Sequence, residues 1–205
     1  MEYKLIKEII SLSQSQYWDD AKLEWNFEYV YQSDEHQTCL CGHYPIRNIC
    51  VLGNKLNNVQ TEVGNCCVNK FLGIDDGNKI FISITRLKGD LSKSMSAEVV
   101  EYLRKKNILN EVEYGFYTNK LKARNLTLKQ LNFKKKINQK FLDFTSGESS
   151  SNLSKINIIL KWSENNSFFD TGTILSFKGH FERFGKLTEN QEKALDNIIS
   201  KFKIV

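Results

Sequence analysis

The 205-residue sequence is poor in the features that mark many functional classes. It contains a single proline and no uninterrupted apolar run of about 18 residues, which excludes a predicted membrane-spanning helix. The first residues, Met1 to Glu8, include acidic side chains and predict a helix rather than a signal peptide. The chain also lacks a phosphate-binding glycine-rich loop of the P-loop type and a Gly-x-Ser-x-Gly elbow, and we find no convincing catalytic constellation.

Other candidates for chemistry are equally sparse. His36 and His180 have no acid or nucleophile at a helical spacing, and Asp75-Asp76 beside Gly77 is more typical of a turn than of a metal site. We therefore expect a binding protein rather than an enzyme. Clustered thiols without a secretion signal indicate a reducing, cytoplasmic or otherwise intracellular compartment.

Cysteine is missing everywhere except in one window of 29 residues, Cys39 to Cys67, which holds all five. A Cys-x-Cys-Gly knuckle, a third thiol and a late Cys pair have the spacing of a structural zinc site. The favoured ligands are four of the five thiols, namely Cys39, Cys41, Cys50 and Cys67. Cys66 is then spare, and His43 is the main alternative ligand because imidazole also suits zinc. Disulfides, free thiols or a catalytic zinc with an open position are the other interpretations.

The elements around the thiols follow a recognisable order. Alternating residues at Leu23–Tyr31 predict a strand, and Arg47–Leu52 and Val59–Val63 predict a hairpin after the knuckle. Asn65 can then start a helix that ends at Gly73. Knuckle, hairpin and a helix with a ligand in its first turn make a treble-clef-like zinc module.

Three motifs in this window resemble a little-characterised zinc-binding family of bacteriophages, bacteria and large DNA viruses. They are Cys39-Leu-Cys-Gly-His-Tyr-Pro-Ile, Cys50-Val-Leu-Gly-Asn54 and Val63-Gly-Asn-Cys-Cys-Val-Asn-Lys-Phe71. The resemblance covers about residues 20 to 142 and implies that Cys67 is the last ligand and Cys50 the third, a position that is often His or Cys in relatives. By analogy it also implies a viral or phage protein that works on or near nucleic acid.

The remainder is predicted to be mainly helical after one further strand at Ile80–Thr85. Helix starts are predicted by four capping residues, Ser96, Asn110, Thr127 and Thr188. Seven pairs of identical residues recur at an offset of 61 residues, from Phe116 and Phe177 to Phe141 and Phe202. This recurrence predicts two similar helical hairpins, although two independent capping boxes would give part of the same pattern.

The domain organisation follows from these elements within an α+β fold class. Residues 1–90 form the zinc-binding module with an N-terminal helix, residues 91–145 a basic helical hairpin region, and residues 155–205 a C-terminal helical hairpin module. The serine-rich stretch Thr145–Asn152 has the composition of a flexible linker.

Positive charge is concentrated in the first hairpin. Between Thr118 and Lys140 there are eight basic residues and no acid, whereas the rest of the chain has 21 Lys and Arg against 24 Asp and Glu, a net charge of −3. Such a local positive potential is typical of a surface that binds a polyanion, although a solvated helix surface gives the same pattern. The predicted phosphate-contacting residues are Lys120, Lys122, Arg124, Lys129, Lys134, Lys135 and Lys136.

Two functions are consistent with these features. The favoured hypothesis is a zinc-stabilised, nucleic-acid-binding accessory protein of viral or mobile-element type that contacts DNA or RNA phosphates through the basic hairpin. The alternative is a viral protein-interaction or assembly module with structural zinc, a viral or host protein partner and no nucleic acid. Neither hypothesis involves a membrane.

Overall fold

A computed structural model describes residues 2–72 and 76–204 of the chain. The chain divides into two compact units, Met1–Ile82 and Ser83–Val205. The α+β class is confirmed, because the described residues form a three-stranded antiparallel sheet and a set of helices. The helix end predicted at Gly73 and the Asp75 position of the predicted turn lie outside the described residues.

The first unit has helices before and after its sheet in chain order. It opens with α1 (Glu2–Leu12), α2 (Trp18–Ala21) and a 3₁₀ turn (Lys22–Glu24). The strands β1 (Trp25–Gln37), β2 (Ile46–Asn54) and β3 (Gln60–Gly64) follow in spatial order β1-β2-β3. Helix α3 (Asn65–Leu72) comes directly after β3, and the unit boundary falls within α4 (Asp76–Gly89).

From Ile49 to Asn54 the central strand β2 is buried on both faces of the sheet. Cys50 lies between Val30 and Val63, and its neighbour Ile49 lies between Tyr31 and Gly64. Because successive side chains of a strand point to opposite faces, Cys50 and Ile49 face opposite sides of the sheet. This alternation determines which thiols lie on the same face of the sheet and can therefore meet.

The strand predicted at Ile80–Thr85 is wrong, since these residues belong to α4. Ile80, Ile84 and Leu87 are each at most 1% exposed, whereas Ile82 is 57% exposed. Spacings of four and three residues define one buried helix face, and the tertiary environment has overridden the β propensity of the isoleucines.

The second unit is helical over its described residues. Its helices after α4 are α5 (Ala97–Lys105), α6 (Glu111–Lys120), α7 (Leu128–Phe144), α8 (Gly147–Glu164), α9 (Gly172–Phe184) and α10 (Glu189–Phe202). All four predicted caps are confirmed, because each side chain accepts a hydrogen bond from the backbone N–H three residues later. Among the described residues, no helix has both the length and the apolar character needed to cross a membrane.

Helices α6 and α7 pack as an antiparallel pair. The rings of Phe116 and Phe133 meet edge to face at 4.9 Å, and the Lys140 ammonium pairs with the Glu113 carboxylate at 3.0 Å. The α6 and α9 starts are 61 residues apart, as are the α7 and α10 starts, so the sequence offset reappears in the helix boundaries. The interpretation of α6–α7 and α9–α10 as two copies of one helical hairpin stays a prediction.

The flexible linker predicted over Thr145–Asn152 is wrong. Ser146 caps α8, and Ser149 donates a hydrogen bond from its hydroxyl to the Gly185 carbonyl at 3.0 Å. Asn152 reaches α10, where its amide donates to the Glu192 carboxylate at 2.6 Å. The small polar residues therefore cap a helix and satisfy buried partners, two roles that composition does not distinguish from a solvated linker.

A buried hydrogen-bond chain attaches the loop between α4 and α5 to α6 and α7. The Tyr117 hydroxyl accepts from the Met95 N–H at 2.9 Å and donates to the Asn138 side-chain oxygen at 2.6 Å. The Asn138 amide in turn donates to the carbonyls of Leu91 and Lys93, both at 2.8 Å. Burial raises the pKa of Tyr117 to about 12, so this donor stays protonated at physiological pH.

Gly185 ends α9 in the left-handed conformation, with φ of +79°. A Cβ at this position would lie 2.5 Å from the Lys140 carbonyl oxygen, so both the dihedral angle and the space require glycine. By contrast, Gly179 lies in the interior of α9, where an added Cβ would have no heavy atom within 4 Å beyond its own stretch of helix.

These two glycines give opposite predictions. We expect Gly185→Ala to lower the free energy of unfolding by more than about 1 kcal/mol, because alanine is strained there and clashes with α7. Gly179→Ala should leave stability unchanged or raise it by up to about 1 kcal/mol through helix propensity. Urea unfolding of the full chain measures both, and equal effects of the two changes would contradict this account of Gly185.

Candidate metal centre and cationic surface

Cys39 to His43 form a tight hairpin that brings two thiols together. The Gly42 N–H donates to the Cys39 carbonyl at 2.7 Å, and the Cys39 N–H donates to the His43 carbonyl at 2.9 Å. Gly42 has φ of +86°, the conformation of the glycine that ends a type I turn in a bulged three-residue loop. The glycine in the Cys-x-Cys-Gly motif is therefore required by the turn that positions Cys39 and Cys41.

A third thiol joins them from the first turn of α3. The sulfurs of Cys39, Cys41 and Cys67 all lie within 4.8 Å of one another. The Cys39 and Cys67 sulfurs are 3.5 Å apart, well beyond the roughly 2.0 Å of a disulfide bond, and none of the five cysteines is disulfide-bonded. Three convergent thiols of this kind form a group that could hold a soft or borderline metal ion.

Hydrogen bonds favour a thiolate at Cys39. The Cys67 thiol is the largest influence, and the Gly64 N–H also donates to the Cys39 sulfur, at 3.2 Å. Together with Cys41 these donors outweigh burial and lower the pKa of Cys39 to about 5. The hydrogen bond shared with Cys39 raises the pKa of Cys67, and burial adds to that rise, so Cys39 is the first of the pair to lose its proton. Binding of a cation would release the thiol protons that remain and hold all three sulfurs as thiolates.

Cys50, the remaining predicted ligand, is not part of this group. A Cβ on Gly64 would lie 3.8 Å from the Cys39 sulfur, so the three thiols lie on the Gly64 and Ile49 face of the sheet. Cys50 pairs with Val63 and therefore faces the other side, where a Cβ on Gly77 would lie 3.6 Å from its sulfur. Burial raises the pKa of Cys50 to about 12, which keeps this thiol protonated.

The thiol group borders a cavity of about 580 Å³ within the first unit. Its apolar wall includes Leu5 and Ile6 of α1 and Trp18 of α2. His43 and Cys66 also line it, and both are exposed to solvent. The cavity therefore contains two further side chains of metal-binding type beside the three sulfurs.

The predicted phosphate-contacting residues divide into two groups. Lys134 is internal, because the residue is only 5% exposed and its ammonium donates to the Ser94 hydroxyl at 2.8 Å. Burial lowers the pKa of this ammonium. Lys120 is half-buried. The other five are exposed, namely Lys122, Arg124, Lys129, Lys135 and Lys136. Within the described ranges, none of these five forms an ion pair with an acidic side chain.

Comparison of the chain with family models, with curated proteins and with solved structures gives no match.

The adjacent cysteines provide a matched test of the metal centre. We expect Cys67→Ser to abolish tight metal binding and to lower the melting temperature of the first unit, because it removes one of three converging thiolates. Cys66→Ser should have little effect on either, since Cys66 is exposed and outside the group. Elemental analysis and thermal unfolding with and without a chelator measure the outcome. Equal metal content in both variants would contradict the assignment.

Proposed function

We propose that Cys39, Cys41 and Cys67 hold a structural zinc ion that stabilises the first unit. Zinc is favoured because thiolates are its typical donors in structural sites. The ion would connect the Cys39–His43 knuckle to α3. In chain order the knuckle is followed by the β2–β3 hairpin and then by α3, as in a treble-clef-like module.

We propose that the second unit binds nucleic acid through its phosphates. The supporting observation is the exposed cationic surface formed by Lys122, Arg124, Lys129, Lys135 and Lys136. Lys129 and Lys136 are seven residues apart, so their side chains leave the same face of α7. Exposed cations that form no ion pair with a described acidic side chain are available to replace the counterions of a polyanion.

The charge of the two units supports the same conclusion. Residues 83–205 carry 22 Lys and Arg against 13 Asp and Glu, a net charge of +9. Residues 1–82 carry 7 against 11, a net charge of −4. The overall charge of +5 therefore understates the positive potential of the unit that contains the cationic surface.

The expected binding mode is contact with the backbone and not with the base edges. Lysine is a flexible point charge that contacts phosphate without reading sequence, and it supplies four of the five exposed residues of the cationic surface. Affinity should therefore fall steeply as salt rises and should vary little between sequences of equal length. The resemblance to a zinc-binding family of phages and large DNA viruses fits such an accessory role.

The test is a titration of labelled single- and double-stranded DNA and RNA by fluorescence anisotropy at several salt concentrations. Replacing Lys129, Lys135 and Lys136 by Gln should weaken binding to duplex DNA. It should also reduce the slope of log affinity against log salt by about 2 to 3, since each lost phosphate contact removes roughly 0.9.

The control removes the same net charge from another part of the second unit. Lys161, Lys193 and Lys201 are exposed and lie on α8 and α10. Changing these three to Gln should preserve most of the salt slope, because only the local surface is predicted to contact phosphate. Failure of the unaltered chain to bind any of the four polymers at low salt would refute the proposal and favour the protein-interaction alternative.

A further inference from the structure

A tetrahedral zinc ion bound by three sulfurs has one coordination position left. The structure limits which side chains can supply the fourth ligand. Structural zinc sites are almost always four-coordinate and tetrahedral. Cys50 cannot reach the position without rearranging the sheet, because its side chain leaves the opposite face. The donor must therefore come from the side that borders the cavity.

His43 is placed to reach that position by the hairpin itself. Its carbonyl accepts the Cys39 N–H, so the two residues are cross-strand partners at the closing end of the bulged loop. The side chains of directly opposite residues leave the same face, with Cβ atoms about 4.5–5.5 Å apart. His43 lines the same cavity as Cys39, Cys41 and Cys67.

Cys66 is the other donor beside the cavity, and it is less well placed. Adjacent residues on a helix point about 100° apart, so a helix that directs Cys67 at the sulfur group directs Cys66 away from it. Cys66 is exposed and is not among the thiols that lie within 4.8 Å of one another.

We propose that His43 is the fourth ligand and that the centre is a Cys₃His site formed by Cys39, Cys41, His43 and Cys67. This inference rests on the proposed zinc. The His43 nitrogens are not yet within 4.8 Å of all three sulfurs, so ligation requires a rotation of the side chain. An exposed side chain can change rotamer within nanoseconds, and the cavity provides the space for the ring.

The ligand set can be read directly from the metal. X-ray absorption at the zinc edge of the full chain should show three sulfur neighbours and one nitrogen neighbour. Cobalt substituted for zinc should give a sulfur-to-metal charge-transfer band of three thiolates and the ligand-field bands of a tetrahedral site. Four sulfurs would overturn the inference, and Cys50→Ala or Cys66→Ala would then show which thiol contributes the fourth.

Substitution of the histidine provides the second measurement. His43→Ala should still bind one cobalt ion, should change the ligand-field bands and should bind zinc at least about tenfold more weakly, because loss of a direct ligand exceeds typical outer-shell effects. Added imidazole should restore the original spectrum. His36→Ala is the matched control, because His36 is also exposed but is outside the cavity lining, and it should leave the spectrum unchanged.

The outcomes separate this inference from the proposed function. Absence of zinc from the unaltered chain would refute the structural zinc itself. One zinc per chain with an unchanged His43→Ala spectrum would refute only the fourth ligand. If His43→Ala does not fold, the count of sulfur and nitrogen neighbours in the unaltered protein still decides the question.

Discussion

Convergence of three sulfurs brings side chains from two separate elements of the first unit to one point. Cys39 and Cys41 come from a five-residue hairpin, whereas Cys67 comes from the first turn of α3, and all three sulfurs meet within 4.8 Å. The N–H of Gly64 points at the Cys39 sulfur from the end of β3. Three thiolates this close together would repel one another without a cation between them, so removal of a bound ion would favour reprotonation of the sulfurs.

Features encoded within three or four residues were predictable from the sequence. Ser96, Asn110, Thr127 and Thr188 cap helices as expected, because a capping hydrogen bond involves only the residue and the backbone three positions later. Gly42 likewise takes the positive φ that its knuckle requires. The caps and the glycine turn depend only on neighbouring residues, so they can be predicted without knowledge of the rest of the fold.

Features that depend on distant packing were not predictable in the same way. Nothing near Cys50 in the sequence indicates that β3 pairs Val63 with it and so turns its thiol away from Cys39. The isoleucines at Ile80, Ile82 and Ile84 alternate in the sequence as in a strand, but the burial of the segment follows a helix. The stretch Thr145–Asn152 has the composition of a linker, and only the partners on α9 and α10 reveal that its serines and asparagine are packed.

The position of Lys134 affects how any mutational scan of the basic segment should be interpreted. In the sequence it is one of three consecutive lysines, yet its ammonium is bonded to Ser94, whose hydroxyl in turn donates to the Leu121 carbonyl. A variant at this site would loosen the junction between the α4–α5 loop and the α6–α7 pair, and the damaged protein would then bind everything poorly. A scan that did not monitor folding would score Lys134 as a contact residue, although it is only 5% exposed.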